Sequence, residues 1–187
     1  MRPQKVDDYH VIEGLMSVLR SKGYDGASLN ELSDAAGLKK ASLYHRFPGG
    51  KEAMAEAVLT FVDEWIDTNI YNVLVDTSKT RDLRLKQAIQ NIRALYDDGD
   101  AICIFRALSM ETGMALFGAK ISESMGKWMK AFQLLALESG LNDDMAQNLA
   151  QQTLIDVQGS LVVAKAMSNT SVFLTALDKI EQDYLTL

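Results

Sequence analysis

The feature that most constrains the fold of this chain is a helical repeat of apolar residues that runs through nearly its whole length. In the first predicted helix, about residues 6–20, Ile12, Leu15, Met16 and Leu19 recur at spacings of three and four. No segment of useful length alternates as a strand does, and only two of the 187 residues are proline. Because 48% of the residues are hydrophobic, the chain can bury a substantial core. The pattern predicts an all-α protein.

Turn and capping residues divide this repeat into helices. Ser28 and Glu31 form a capping box that opens a short helix with Leu32, Ala35 and Ala36 facing inward, and Gly37 ends it. The other predicted helices lie at about 6–20, 39–47, 51–71, 81–97, 101–114, 119–138, 143–168 and 170–186. The predicted architecture is a three-helix N-terminal module (1–50) joined by a connecting helix to a larger helical body (51–187).

Charge is distributed unevenly between these parts. The formal net charge is −6, but residues 1–60 contain eight Lys or Arg and eight Asp or Glu, so the acidity belongs to the remainder. Between Asp34 and Glu52 there is no acid, whereas Lys39, Lys40, His45, Arg46 and Lys51 are all present. A local basic face on an acidic body is typical of a protein that binds DNA with one region.

The basic window coincides with a recognisable motif. Two short helices joined through Gly37, with a bracing helix before them, predict a helix-turn-helix. The segment Gly37–Ala53 resembles the tetracycline-repressor (TetR) family, in which a glycine turn leads into a recognition helix ending in Leu-Tyr-His and Phe, and Lys-Glu opens the next helix. The resemblance covers about residues 8–60, and Phe-Pro-Gly-Gly-Lys at 47–51 is similar to the subgroup around the lincomycin-resistance repressor.

The resemblance implies a helix-turn-helix regulator that binds double-stranded operator DNA as a homodimer, most often as a repressor. The candidate DNA-binding residues are Ser28, Lys39, Lys40, Ala41, Ser42, Tyr44, His45 and Lys51. The small Ala41 and Ser42 allow close approach to base edges, while Lys51, at the start of the connecting helix, is interpreted as a phosphate anchor. Relatives usually carry Ser or Thr where Lys39 stands, and lysine cannot cap a helix, which costs about 1 kcal/mol. The plainer alternatives are a solvated Lys-Lys surface and a Tyr44 that belongs only to the core.

The body carries a cluster of soft apolar and aromatic residues that suits a small apolar effector. The candidate ligand-binding residues are Trp65, Tyr96, Phe105, Arg106, Met110, Met114, Trp128 and Phe132. The same residues at helical spacing also make an ordinary core, and Arg106 could equally reach the surface or a nearby acid.

The last two predicted helices carry more apolar surface than one small body needs. The candidate dimer-interface residues are Leu154, Leu161, Val162, Phe173 and Leu177. Gly159 and Ser160 would allow helices to approach closely, and in the TetR family the corresponding helices pair across a two-fold axis.

Several classes of protein find no support in the sequence. There is no catalytic set, no metal-ligand spacing and no phosphate-binding glycine loop, so we expect neither an enzyme nor a cofactor. No apolar run is long enough to span a membrane, and the lone Cys103 reads as a buried hydrophobic residue, so the chain is expected to be cytoplasmic. A DNA-binding regulator without a small-molecule effector, and a helical-bundle carrier or enzyme, remain as alternatives.

Overall fold

In a computed structural model that describes residues 7–187, every regular element of that range is helical. The elements are α1 (Asp8–Gly26), α2 (Leu29–Ala35), α3 (Lys40–Arg46), α4 (Gly50–Ile66), a π-helical turn (Asp67–Tyr71), α5 (Asn72–Val75), α6 (Arg81–Leu95), a 3₁₀ turn (Asp97–Gly99), α7 (Ile104–Leu108), α8 (Glu111–Leu137), α9 (Asp143–Met167) and α10 (Ser171–Leu185). The predicted all-α class is confirmed. The predicted start of the first helix at Val6 lies outside the described residues.

The chain divides into two compact units. The first runs to Asp63 and includes Ile104–Ile121, and the second comprises Glu64–Cys103 and Ser122–Leu187. The functional division between residues 50 and 51 stays a prediction.

The first unit is held together by a close contact between α1 and α2. A Cβ added at Gly14 would lie only 2.1 Å from the carbonyl oxygen of Ala35, so the backbones of the two helices approach too closely for any side chain there. Its core contains Leu15 and Leu19 of α1, Leu32 of α2 and Leu43 of α3. Helix α7 packs on α1.

The second unit contains a buried cation. The guanidinium of Arg84, on α6, donates to both carboxylate oxygens of Glu138 and, over 2.5 Å, to the carbonyl oxygen of Leu74. Arg84 is 3% exposed, so these partners replace the water that it gives up. The hydrogen bonds from Arg84 are the main reason that the pKa of Glu138 lies below its usual value, although desolvation opposes them. The ion pair joins α6 to the residue after α8.

Four sequence predictions about local structure are wrong. The segment from Gly113 to Gly118 predicts a break between helices, but residues 113–118 lie within α8, and the true break is at Ser109 and Met110, before Glu111 with its φ of 34°. The predicted helix at 101–114 is therefore shorter and corresponds to α7. The segment Tyr24-Asp25-Gly26-Ala27 predicts a loop, but residues 24–26 add a helical turn to α1 beyond a kink at Gly23.

The fourth error concerns which residues face inward. Ala35 is exposed, because Gly14 contacts its carbonyl oxygen and not its side chain. On α4, the spacing of Met54, Val58, Phe61 and Trp65 predicts one buried stripe. Met54 and Val58 are buried, whereas Phe61 and Trp65 are only half-buried. The buried stripe turns instead to Val62 and Ile66, and the helix continues through the π turn into α5.

Across residues 7–187, no helix is both long and apolar enough to cross a membrane.

Candidate nucleic-acid interface

The turn between α2 and α3 is fixed by hydrogen bonds that the sequence specifies locally. Helix α2 opens with the predicted capping box, in which the Glu31 amide donates to the Ser28 hydroxyl and the Glu31 carboxylate accepts from the Ser28 amide. It ends in a Schellman arrangement, in which the amide of Leu38 donates to Ser33 and that of Gly37 to Asp34. Gly37 has a φ of +63°, which a glycine adopts without strain.

This turn presents one face of α3 to solvent. Leu43 is buried, whereas Lys39, Lys40, Ala41, Ser42, Tyr44 and His45 are all exposed. Lys39 occupies the N-cap position and makes no side-chain cap, as its residue type predicts. Among the described residues, neither Lys39 nor Lys40 forms an ion pair. The face is therefore basic, and it includes the small residues Ala41 and Ser42.

Two contacts orient α3 from its C-terminal end. The guanidinium of Arg46 pairs with the carboxylate of Asp8, which ties the end of α3 to the start of α1. A Cβ added at Gly50 would lie 3.7 Å from the ring carbon Cε1 of Tyr44, so the ring lies along the chain where α4 begins. The Tyr44 side chain is nevertheless exposed, which leaves its hydroxyl accessible.

Two of the predicted phosphate contacts are already engaged within the protein. The Ser28 hydroxyl donates to the Glu31 carboxylate over 2.7 Å. The Lys51 ammonium donates to the carbonyl oxygens of Tyr24 and Ala27, at 2.8 and 3.2 Å, and is 4.5 Å from the centre of the Tyr24 ring. Sequence reasoning did not predict the contacts of Lys51, because Lys51 is 27 residues from Tyr24 and 24 residues from Ala27 along the chain.

The candidate ligand-binding residues fall into two groups. Phe105, Arg106, Met110 and Met114 belong to the first unit, where Phe105 is buried and the other three are exposed, Met110 by 68%. Exposure of this degree means that Met110 and Met114 do not line a closed cavity in this state.

The remaining four candidates, Trp65, Tyr96, Trp128 and Phe132, belong to the second unit. The Tyr96 hydroxyl donates to Cys103 Sγ (3.5 Å) and accepts from Gln158 (3.2 Å), and the Tyr96 ring packs against Phe173. Phe132 packs edge-on against Tyr184. These two residues are therefore part of the core. Cys103 is buried, as predicted.

Trp128 differs from its neighbours in that its polar atom is unsatisfied. The residue is 1% exposed, and its indole N–H has no hydrogen-bond partner among the described residues. An unpaired buried donor costs about 1–3 kcal/mol, so this position is suited to an acceptor from outside the chain.

Two surface depressions that the sequence did not predict meet at Gly126 on α8. One, of about 440 Å³, is lined by Asp67, Tyr71, Gly126, Lys127 and Lys130. The other, of about 380 Å³, is lined by Gly126, Met129, Lys130, Gln133, Gln147, Ala150 and Gln151. The sequence feature that could have indicated these depressions is Gly126, a glycine in the interior of a long helix.

The candidate dimer residues are mostly buried within a single chain. Phe173 is 0% exposed and Leu177, Leu161 and Leu154 are also buried, so packing inside the protomer uses the surface that was predicted to face a partner. Only Val162 is exposed. The large apolar residues exposed on α9 are Met145, Ile155, Val162, Val163 and Met167, and a Cβ at Gly159 would meet open space.

Residues 11–58 match the family model described as bacterial regulatory proteins, tetR family. Residues 11–58 are therefore a tetR-family segment. The matched segment runs from α1 into α4 and contains the whole of the exposed face of α3. The tetR-type fold extends over the rest of the chain as well, since a TetR transcriptional regulator from Legionella pneumophila superposes with a TM-score of 0.80 at 16% identity, covering 98% of this chain and 99% of that one.

Two further similar proteins match most of the chain. The HTH-type transcriptional regulator LmrA of Bacillus subtilis (strain 168) is 21% identical over 88% of this chain and 89% of its own. A cysteine mutant of the TetR family regulator CifR, solved with a 26-bp double-strand operator DNA, gives a TM-score of 0.73 at 21% identity over 97% of this chain and 98% of that one.

Proposed function

We propose that this tetR-family regulator is a homodimeric repressor that binds an inverted-repeat operator through α3 and is released by a small effector. The observation that carries the DNA-binding part is the exposed surface of α3, which includes Lys39, Lys40 and His45 together with the small residues Ala41 and Ser42. Small residues let a helix approach base edges, and the surrounding cations reach phosphates.

Selection of duplexes from a random pool by the full-length chain tests this proposal. We expect an inverted repeat whose half-site centres lie roughly 34–36 Å apart, or a multiple of that, because two α3 helices related by a two-fold axis enter successive major grooves. Lys40→Ala should weaken binding, whereas the control Lys86→Ala, at an exposed residue of α6 in the second unit, should not. Recovery of no symmetric site, at a stated salt concentration, would contradict the proposal.

Repression is the mode that the family resemblance implies, and it is tested separately. Transcription in vitro from a promoter that overlaps the selected site should fall as the protein is added. An increase would make the chain an activator while leaving the DNA-binding proposal intact.

The effector part of the proposal rests on Trp128. Its unpaired indole N–H, on a buried aromatic residue of α8, favours a planar, mostly apolar compound with one hydrogen-bond acceptor. Such a compound releases DNA only through preferential binding to the DNA-free state, and tenfold release needs about 1.4 kcal/mol of preference.

The two tryptophans of the chain allow a direct test. In a Trp65→Phe background, Trp128 is the only tryptophan, so a bound compound should change its emission in a saturable way. A panel of planar compounds with and without a carbonyl acceptor should show thermal stabilisation only for those with it. Trp128→Phe should weaken that response about tenfold, since it removes the donor and keeps an aromatic ring. Absence of any response across the panel would leave a DNA-binding regulator without a small-molecule effector.

A further inference from the structure

The start of α4 is fastened to the corner between α1 and α2 by a single side chain. Lys51 is the second residue of α4, and its ammonium reaches back to the carbonyl oxygens of Tyr24 and Ala27. Tyr24 lies in the last turn of α1, and Ala27 is the residue that follows the helix. Carbonyls at the end of a helix lack intrahelical partners, and a lysine ammonium both satisfies them and complements the negative end of the helix dipole.

The same corner is packed on its other sides. The Tyr24 ring lies under the Lys51 ammonium and meets the ring of Phe117 edge-on, with centroids 5.3 Å apart. Burial, more than the charges of Glu52 and Asp25, raises the pKa of Tyr24. Ala107 of α7 also lies against the corner, since a Cβ at Gly23 would be 3.1 Å from its carbonyl oxygen. The Lys51 side chain is thus half-buried and part of a packed cluster.

The consequence for DNA binding follows from where α4 begins. The amide of Gly50 donates to the carbonyl oxygen of Phe47, so only a tight turn separates α3 from α4. Whatever fixes the first turn of α4 against α1 and α2 therefore also fixes the angle at which α3 is presented. Lys39 and Lys40, by contrast, extend into solvent from the N-terminal end of α3.

We propose that Lys51 is a positioning residue of the DNA-binding unit, which holds the α1–α2 corner to the start of α4 and contacts no DNA phosphate. The proposal rests on the proposed DNA-binding function, and it replaces the phosphate-anchor role expected from the sequence. A phosphate contact contributes to the salt dependence of binding, whereas an internal tether contributes to stability and to operator affinity at every salt concentration.

Lys51→Met, which keeps the length of the side chain and removes its charge and donors, separates the two roles in the full-length chain. Binding to the selected operator and to a scrambled duplex is measured over a salt series, together with thermal unfolding. We expect Tm to fall by about 2–8 °C and operator affinity to fall about tenfold, with less loss on the scrambled duplex and an unchanged salt slope. The matched control Lys40→Ala should keep the Tm and lower the slope by about one unit.

A salt slope that falls with Lys51→Met, or a Tm and affinity that both stay unchanged, would overturn the proposal. If the wild-type chain bound neither duplex, the proposed function itself would fail instead, so the two failures are distinguishable.

Reductive methylation of the wild-type protein keeps the proposal testable if Lys51→Met does not fold. Lys51 should react slowly both in the free protein and with the operator duplex, because its amine is engaged in either state. Lys40 should react quickly in the free protein and become protected on the duplex. Fast labelling of Lys51 in the free protein, followed by protection on DNA, would identify it as a phosphate contact.

Discussion

At the scale of single residues, neighbouring side chains of α3 lie in different environments. Leu43 is buried and fixes the helix to its unit, while Lys40 and Ser42 are exposed. A cation without a fixed partner acts through phosphate charge, whereas a hydroxyl acts through the hydrogen-bonding pattern of a base edge. We therefore expect Lys40 to contribute mainly to affinity and Ser42 mainly to specificity.

This division predicts different outcomes for two substitutions on α3. Lys40→Ala should weaken binding to all duplexes by a similar factor, because it removes charge. Ser42→Ala should leave the salt slope unchanged and alter the base preference at one position of each half-site, by about 1–3 kcal/mol. Parallel selections with the two variants, followed by salt titrations, check this. An altered consensus with Lys40→Ala and none with Ser42→Ala would reverse the assignment.

At the scale of helices, the glycines within α1 and α8 have opposite surroundings. Gly14 lies where the backbone of α2 approaches α1, whereas a Cβ at Gly126 would meet nothing within 4 Å. An alanine in a helix interior is favoured over glycine by about 0.5–1 kcal/mol unless its methyl group has no room.

We therefore predict opposite signs for the same substitution at these two positions. Gly14→Ala should destabilise the protein by several kcal/mol, because the methyl group would force α1 and α2 apart. Gly126→Ala should stabilise it by about 0.5–1 kcal/mol. Chemical unfolding of both variants measures the effect. If Gly126→Ala instead proved destabilising, an additional contact would have to exist at the two depressions beside it.

The Arg84–Glu138 pair makes a pH-dependent link between helices of the second unit. Because the pKa of Glu138 is held below its usual 4.5 in the folded state, the unfolded chain binds the proton more tightly. The contribution to stability is therefore present above that value and is lost as the pH falls through the lower, folded-state pKa.

Glu138→Gln should remove this contribution at neutral pH. We expect a loss of about 1–3 kcal/mol, since a buried guanidinium loses a charged partner that is itself partly exposed. Other carboxylates also titrate, so the informative quantity is the difference in unfolding free energy between wild type and variant, measured from pH 7 to pH 3. That difference should shrink on acidification, and a constant difference would contradict the role of the ion pair.

At the scale of the whole molecule, several large apolar side chains of α9 remain exposed in the single chain. Ile155 and Val162 are 52% and 42% exposed, and Met167 lies on the same helix. Gly159 lies among them with open space at its Cβ position, which a second helix could approach closely. Homodimerisation would cover this surface and place two α3 helices on one duplex.

Val162→Asp should therefore convert the dimer to a monomer and abolish cooperative binding to the inverted repeat. The control Leu83→Asp, at a residue of α6 with 53% exposure, should leave the dimer intact. Sedimentation equilibrium of both variants gives the comparison. A Leu161→Asp variant would be uninformative, because Leu161 is buried within the chain and its replacement would disrupt the core. Equal dimerisation of Val162→Asp and wild type would place the interface elsewhere.

The sequence by itself determined those features that depend on residues close in the chain. The capping box of Ser28 and Glu31, the glycine turn at Gly37 and the buried Leu43 are all fixed by spacings within a single turn of helix or one tight connection. The acid-free window from Asp34 to Glu52 likewise predicted the exposed basic face, because lysine side chains without a nearby acid mostly stay in solvent.

Only the tertiary structure decided which surface each helix buries and which lysine is engaged by other groups of the protein. Lys51 and Lys40 have the same residue type within one motif, yet the carbonyls of Tyr24 and Ala27 engage the first while the second faces solvent. Phe173 and Val162 fit the same apolar pattern, yet Gly99 and Tyr96 cover Phe173 while Val162 stays exposed. A helical repeat specifies that a side is apolar; whether that side meets its own chain or a partner depends on contacts between residues far apart in sequence.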